Sequence, residues 1–455
     1  MKSKYKWALI MLVLLGVVAI ILVLALRNPS KPSVYNQTST SMPVTSSPSS
    51  FDVYVATDMH YLSPSLHDGG TAFQKYIESG DSKLLQYSDE LMDAWTVQVI
   101  ADHPQAVILS GDLTNNGEQA SHIGLAEKLE HIEQAGIQVL VIPGNHDILN
   151  PWARSFKGDS QYKTDYITDK EFRDIYNSFG YGEALDSDQD SLSYVAKITD
   201  QLWVLMLDTS QYLDNLELGY PKTNGGVSNK TLKWISEQAK SARSNGAEVI
   251  AVMHHNLLDH TVFSMGFTLD NAEQVINVLN DSNIHLALSG HIHIQDIRSY
   301  DGITDIATSA LEVYPYQFGT LHFDTGASTV AYQTKAVDVE QWSRQNKVIN
   351  ADLNHFNEYG KTFFRSQSFR KAVEGLEDQD FTEQQINDMA EAMAELNLHY
   401  FAGTINEMDE NVLNSVGMKL WEQAESQFLS RYVQSMADSA KENNQIQIQH
   451  SESSP

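Results

Sequence analysis

From residue 7 to residue 26 no side chain is charged, and twenty residues at about 1.5 Å each make about 30 Å of helix, the thickness of a bilayer core. The pattern predicts a membrane anchor within residues 1–27. Lys2, Lys4 and Lys6 also look like the leader of a cleaved signal peptide, the competing reading. Such a peptide has an apolar stretch of about 7 to 15 residues and a small-x-small cleavage site, whereas Val23, Leu24, Ala25, Leu26 and Arg27 close this one. The lysines ahead of the span favour a cytoplasmic N-terminus, which places the remainder outside the cell in a single-pass arrangement. Residues 28–50, dominated by Ser, Thr, Pro and Asn, read as a linker. Beyond them, short apolar runs ending in polar clusters predict buried strands at 51–56, 106–109, 137–142, 202–207, 249–253 and 284–288. Helical spacing over 84–101, 118–135 and 230–245 places helices between them, giving an α/β layered core. After Asp338 the strand signal disappears. Thr382 and Gln385 form a capping box ahead of Ile386, Met389, Met393 and Leu396, and the periodicity predicts a helical C-terminal unit over 339–445 with a frayed polar tail to 455.

Composition narrows the chemistry. The 30 basic and 59 acidic side chains give a net charge of -29, which argues against binding a nucleic-acid polymer. There is no cysteine, so disulfide scaffolds, thiolate zinc sites and cysteine nucleophiles are excluded. Any metal must be held by nitrogen and oxygen.

Five of the predicted strands run directly into such atoms. Their ends carry Asp58 and His60, then Gly111 and Asp112, then Gly144, Asn145, His146 and Asp147, then His254 and His255, then Gly290, His291 and His293. In α/β sheets, sites form beyond the carboxyl ends of strands, so these five loops share one location. Carboxylate, imidazole and amide suit manganese, iron or zinc. Seven such groups exceed what one catalytic ion takes, but divide well between two ions about 3.5 to 4 Å apart with one bridging carboxylate.

Asp-x-His, Gly-Asp, Gly-Asn-His-Asp, a histidine after an apolar strand and Gly-His-x-His, in this order across 51–338, resemble the calcineurin-like metallophosphoesterase superfamily. With the anchor and the helical unit over 339–455, the chain also resembles class III cyclic-nucleotide phosphodiesterases. The resemblance implies a two-sheet β-sandwich flanked by helices, a four-layer αββα metallophosphoesterase-like fold. It implies that Asp58, His60 and His293 hold one metal, that Asn145, His254 and His291 hold the other, and that Asp112 bridges them. Manganese and iron are the expected ions, with zinc possible. His255 is then a neighbour of the ligands or a substrate contact, Asn145 and His146 position phosphoryl oxygens, and His146 protonates the leaving alkoxide after a hydroxide shared by the metals attacks phosphorus. Many members carry an acid three residues after the bridging aspartate, where this chain has Asn115. An amide there orients His146 through its oxygen without a charge and makes it a weaker proton donor, or Asp147 supplies some of the orientation. Segments 61–67 and 151–190 are expected to wall the substrate pocket. Two divalent ions against the carboxylates of Asp58 and Asp112 leave about +2 locally, which reconciles an acidic protein with an anionic substrate. The expected activity is hydrolysis of small phosphodiesters, cyclic nucleotides among them. A phosphomonoesterase or another phosphoesterase specificity, such as a glycerol-phosphate polymer, is the alternative, and a surface-anchored binding protein without catalysis a third.

Overall fold

The computed structural model describes residues 50–424, 427–439 and 443–449. The predicted anchor and the linker up to residue 49 lie outside them, and among the described residues no helix is long and apolar enough to cross a membrane. Ser50, assigned above to the linker, is the first residue of a strand.

The chain begins with three parallel neighbours, β1 (Ser50–Ala56), β2 (Ala106–Ser110) and β3 (Gln138–Ile142). β2 reads Ala-Val-Ile-Leu-Ser and is buried throughout, the continuous apolar run required of a parallel strand covered on both faces. A hairpin of β4 (Arg154–Lys157) and β5 (Ser160–Lys163) follows. Next come β6 (Asp186–Ser187), β7 (Tyr194–Lys197), β8 (Leu202–Leu207), β9 (Glu248–Met253), β10 (Leu286–Ser289), β11 (Asp296–Tyr300) and β12 (Ile303–Ala307). They build a seven-stranded sheet in the order β11-β12-β10-β9-β8-β7-β6, with β8, β9, β10 and β12 parallel. Finally β13 (Gln317–Asp324), β14 (Thr329–Ala336) and β15 (Gln445–Gln449) extend the first sheet to the order β15-β14-β13-β1-β2-β3.

Burial explains the layering. Val53, Ile108 and Leu140 of the first sheet share one core with Val204, Ile250 and Leu288 of the second, and with Leu91, Trp95, Leu125 and Leu129 of the helices Ser88–Asp102 and Gln119–Gln134. On the second sheet's other face, Leu205, Ala251 and Ala287 meet Leu232, Ile235, Val275 and Leu279 of the helices Asn229–Ser244 and Ala272–Asp281. The fold is mixed α/β with its helices on the outer faces.

The helical C-terminal region is present, and Thr382 and Gln385 form the reciprocal capping box that opens the helix Glu383–Ala402. Its core of Met389, Met393, Leu396, Trp421 and Met436 also takes in Ile294, one residue beyond His293. The region is thus packed directly behind a loop of the site. The frayed tail is corrected: Gln445–Gln449 pairs antiparallel with β14, Ile446 opposite Tyr332 and Ile448 opposite Val330. An edge strand needs only one apolar face, so alternating Gln and Ile suffice, a pattern too polar to stand out beside the buried strands.

A buried ionic brace joins these parts. His260 contacts Asp296 Oδ2 at 2.9 Å through Nδ1 and Asp305 Oδ2 at 3.0 Å through Nε2, while Asn443 of the C-terminal segment donates to Asp296 Oδ1. Burial disfavours the imidazolium, but Asp305 and Asp296 outweigh it and lift the group from 6.5 to about 9. A raised pKa stabilises the fold fully below the unfolded value near 6.5 and fades as pH climbs through about 9. His260→Ala removes the cation shared by two buried carboxylates, with Arg298 still paired to Asp296 and the Leu257 and Leu258 nitrogens and Ser289 still bonded to Asp305, and is expected to cost up to about 3 kcal/mol. Urea unfolding at pH 6 and pH 10 checks both: the difference between wild type and variant should shrink at the higher pH.

Candidate active site

Every strand that carries a candidate ligand delivers it at its carboxyl end. Asp58 and His60 follow β1, Asp112 follows β2, Asn145 and His146 follow β3, His254 and His255 follow β9, and His291 and His293 follow β10. Asp58, His60, Asp112, His291 and His293 have φ between +41° and +72°, the left-handed region where a non-glycine residue pays roughly 1–3 kcal/mol of strain. Such a concentration of strain holds side chains inward that relaxed turns would release. Gly144 makes the close approach of two loops feasible, since a Cβ there would lie 2.2 Å from the Asp112 backbone nitrogen and from Asp112 Oδ1.

The side chains converge in two groups. In the first, His60 Nε2 lies 3.0 Å from His293 Nε2, and Asp58 Oδ1 lies 3.3 Å from His293 Nε2 and 3.7 Å from His60 Nε2. In the second, His254 Nε2 lies 3.2 Å from Asn145 Oδ1, 3.2 Å from His291 Nδ1 and 3.3 Å from Asp112 Oδ2. Asp112 Oδ2 is also 3.9 Å from His60 Nε2, so this one oxygen faces both groups.

Hydrogen bonds fix which atoms are offered. His254 Nδ1 donates to the Ser110 carbonyl at 2.9 Å, leaving Nε2 as the free lone pair. His291 Nε2 donates to the Gly266 carbonyl at 2.9 Å, leaving Nδ1. His255, by contrast, spends both nitrogens, Nε2 on the Thr223 carbonyl at 3.0 Å and Nδ1 on Thr209 Oγ1 at 2.8 Å. It packs against His291 with ring centroids 4.5 Å apart and has no atom left for a ligand. Asp58 Oδ2 accepts from Thr57 Oγ1 and from the His291 backbone nitrogen, whereas Oδ1, wholly buried, makes no hydrogen bond.

These residues fit two metal ions. An orphaned buried carboxylate oxygen beside imidazole nitrogens turned toward it is costly without a cation, and the donors are the nitrogen and oxygen atoms that the absence of cysteine requires. Asp58, His60 and His293 form one cluster of possible ligands, and Asp112, His254 and His291 the other. Burial works against ionising Asp58 and Asp112, but the neighbouring histidines hold both carboxyls below their usual range.

His146 stands beside this cluster, its ring centroid 5.2 Å from that of His60 and its backbone nitrogen donating to Asp112 Oδ1 at 2.8 Å. Desolvation lowers its imidazole, Asp112 opposes this, and the Lys83 charge adds to the fall. Both expected orienters of His146 are corrected. Its Nδ1 meets the Asn115 backbone carbonyl at 2.9 Å and Asn116 Oδ1 at 3.2 Å, while the Asn115 side chain donates to Tyr76 Oη. Asp147 faces away, accepting from the backbone nitrogens of Leu113, Thr114 and Gly144, where it clamps two site loops together. Burial and the Asp112 charge raise its carboxyl to about 7. Asn116 was missed because nothing in its spacing separates it from Asn115. Accordingly Asn116→Ala is expected to lower kcat on alkyl diesters about 10-fold, and Asn115→Asp less than about 3-fold. Steady-state kinetics on both variants checks the order.

Two acid-and-imidazole clusters that share one facing carboxylate, at the carboxyl ends of parallel strands, suit a metallohydrolase. Residues 51–295 match the sequence profile of the calcineurin-like phosphoesterases, and the chain belongs to that family. Residues 338–443 match the C-terminal domain of cyclic nucleotide phosphodiesterase. No curated protein matches the chain. Among solved structures it is similar to a dimetal phosphatase from Danio rerio, with 16% identity over 63% of this chain and 96% of that one and a TM-score of 0.46. It is also similar to GAP50, the anchor in the inner membrane complex of Plasmodium, at 10% identity over 63% and 85% of the two chains and a TM-score of 0.36. Phosphopantetheinyl hydrolase from Mycobacterium tuberculosis aligns at 11% identity over 57% and 89%, with a TM-score of 0.28.

Proposed function

We propose that this metallophosphoesterase hydrolyses phosphodiesters, with cyclic nucleotides as its substrate class. The observation that carries the substrate class is the match of residues 338–443 to the C-terminal domain of cyclic nucleotide phosphodiesterase, joined to a catalytic fold of the right family. Asp58, His60 and His293 would hold one metal, Asn145, His254 and His291 the other, and Asp112 both. Two such ions supply Lewis acidity that draws electrons from the phosphoryl group and makes water nucleophilic near neutral pH. Manganese and iron fit the nitrogen and oxygen donors best. Asn145 and His146 orient the phosphoryl oxygens, and His146, tied through Nδ1 to the Asn115 carbonyl, presents Nε2 to the departing oxygen and gives it a proton.

Initial rates on a cyclic-nucleotide panel, bis-p-nitrophenyl phosphate and p-nitrophenyl phosphate test the reading. The diesters should be preferred. A preference for the monoester would make the protein a phosphomonoesterase. We further propose that residues 7–26 anchor the chain with the catalytic region outside the cell, on the strength of the uncharged span and the lysines ahead of it. Protease added to intact cells should then release active fragment, whereas protection until lysis would reverse the orientation.

A further inference from the structure

A cavity of about 440 Å³ opens beside the site, walled by Tyr76, Lys83, Asn115, Asn116, Trp152 and Arg154. Its size suits a nucleoside. Two of these walls are the residues that hold His146: the Asn115 carbonyl and Asn116 Oδ1. The cavity thus borders the residues that orient His146.

The loop after β3 makes that geometry rigid. Asn150, fully buried, donates through Nδ2 to the His146 carbonyl at 2.9 Å and accepts through Oδ1 from the Trp152 backbone nitrogen at 2.9 Å. Arg154 Nε in turn donates to the Trp152 carbonyl at 2.6 Å. The indole of Trp152 is nevertheless 42% exposed, a large planar apolar face left open beside a catalytic loop. Lys83 is the second unexplained group. It is nine-tenths buried, yet its ammonium makes no hydrogen bond or direct ion pair among the described residues; Asp81 and Glu312 face it only at longer range, and a desolvated cation without a contacting acceptor is costly. A buried cation whose nearest charges, Asp81 on the same cavity wall and Glu312, make no direct contact with it, beside an aromatic face without a partner, is complementary to a ligand that brings a negative charge and a flat ring.

Building on the phosphodiesterase reading above, we infer that this cavity is the leaving-group subsite, in which Trp152 stacks the nucleobase and Lys83 meets a phosphoryl oxygen. Substrate choice is thereby set by the loop 145–154, which carries a candidate ligand, the proton donor and the stacking face together.

The test compares adenosine 2′,3′- and 3′,5′-cyclic phosphates with glycerol 1,2-cyclic phosphate, a cyclic diester without a base. Wild type should show the lower KM for a nucleotide. Trp152→Ala should raise that KM about 10-fold while kcat falls little, and Trp152→Phe should restore it, because any aromatic face stacks a base. Lys83→Met should raise KM for nucleotide and glycerol ester alike, since both carry the phosphoryl anion. Tyr300→Ala, an exposed aromatic at the end of β11 and outside the cavity lining, is the control and should change neither. If wild type prefers the nucleotide but Trp152→Ala leaves that preference intact, the subsite is wrong and the phosphodiesterase reading stands. A wild type that takes the glycerol ester as readily as any nucleotide overturns the nucleotide reading itself.

Discussion

Asp112→Ala is expected to lower phosphodiester hydrolysis by roughly 1,000-fold or more and to strip the protein of bound metal. The reason lies in one oxygen. Asp112 Oδ2 sits 3.3 Å from His254 Nε2 and 3.9 Å from His60 Nε2, so this one carboxylate oxygen faces the imidazoles of both groups. Oδ1 simultaneously fixes the His146 backbone nitrogen. Removing the carboxylate thus unlinks both groups and loosens the proton donor in one step. Circular dichroism should show a retained fold, because the strands on either side are held by packing rather than by this charge. Near-normal rate and metal content in the variant would mean that the two groups act independently.

His146→Ala has the next largest expected effect, and it should depend on the leaving group. A ribose alkoxide is strongly basic and needs a proton, whereas p-nitrophenolate departs without one, so nucleotide diesters should lose about 100- to 10,000-fold and nitrophenyl esters far less. Metal content should persist, since His146 lies outside both clusters of possible ligands. Equal losses on both kinds of ester, with metal retained, would assign His146 to phosphate positioning instead. Loss of metal would make it a ligand.

Much of this was legible in the sequence because buried parallel strands and inward-turned histidines leave compact signatures. The run Leu202–Leu207 was delimited to the residue, and Ala106–Ser110 to within one, because strands covered on both faces are apolar throughout. β13 and β14 were not foreseen: each shows water one side, and His322, Thr329, Gln333 and Lys335 dilute the pattern. In the site, the order of motifs pointed to the residues that converge. What escaped was everything set by side-chain direction. The sequence could not tell that Asn115 offers His146 its carbonyl while turning its amide to Tyr76, that Asp147 clamps backbone instead of imidazole, or that Lys83 and Trp152 share a cavity. Such partnerships depend on φ values and loop packing that no spacing rule encodes.

The central claim, that this chain is a two-metal phosphoesterase, is tested most directly by metal stoichiometry against activity. Protein stripped with a chelator and titrated with manganese should regain diester hydrolysis in step with occupancy and reach full rate at two ions per chain, as the two clusters require. Full rate at a single bound ion, or hydrolysis that survives complete stripping, would contradict it.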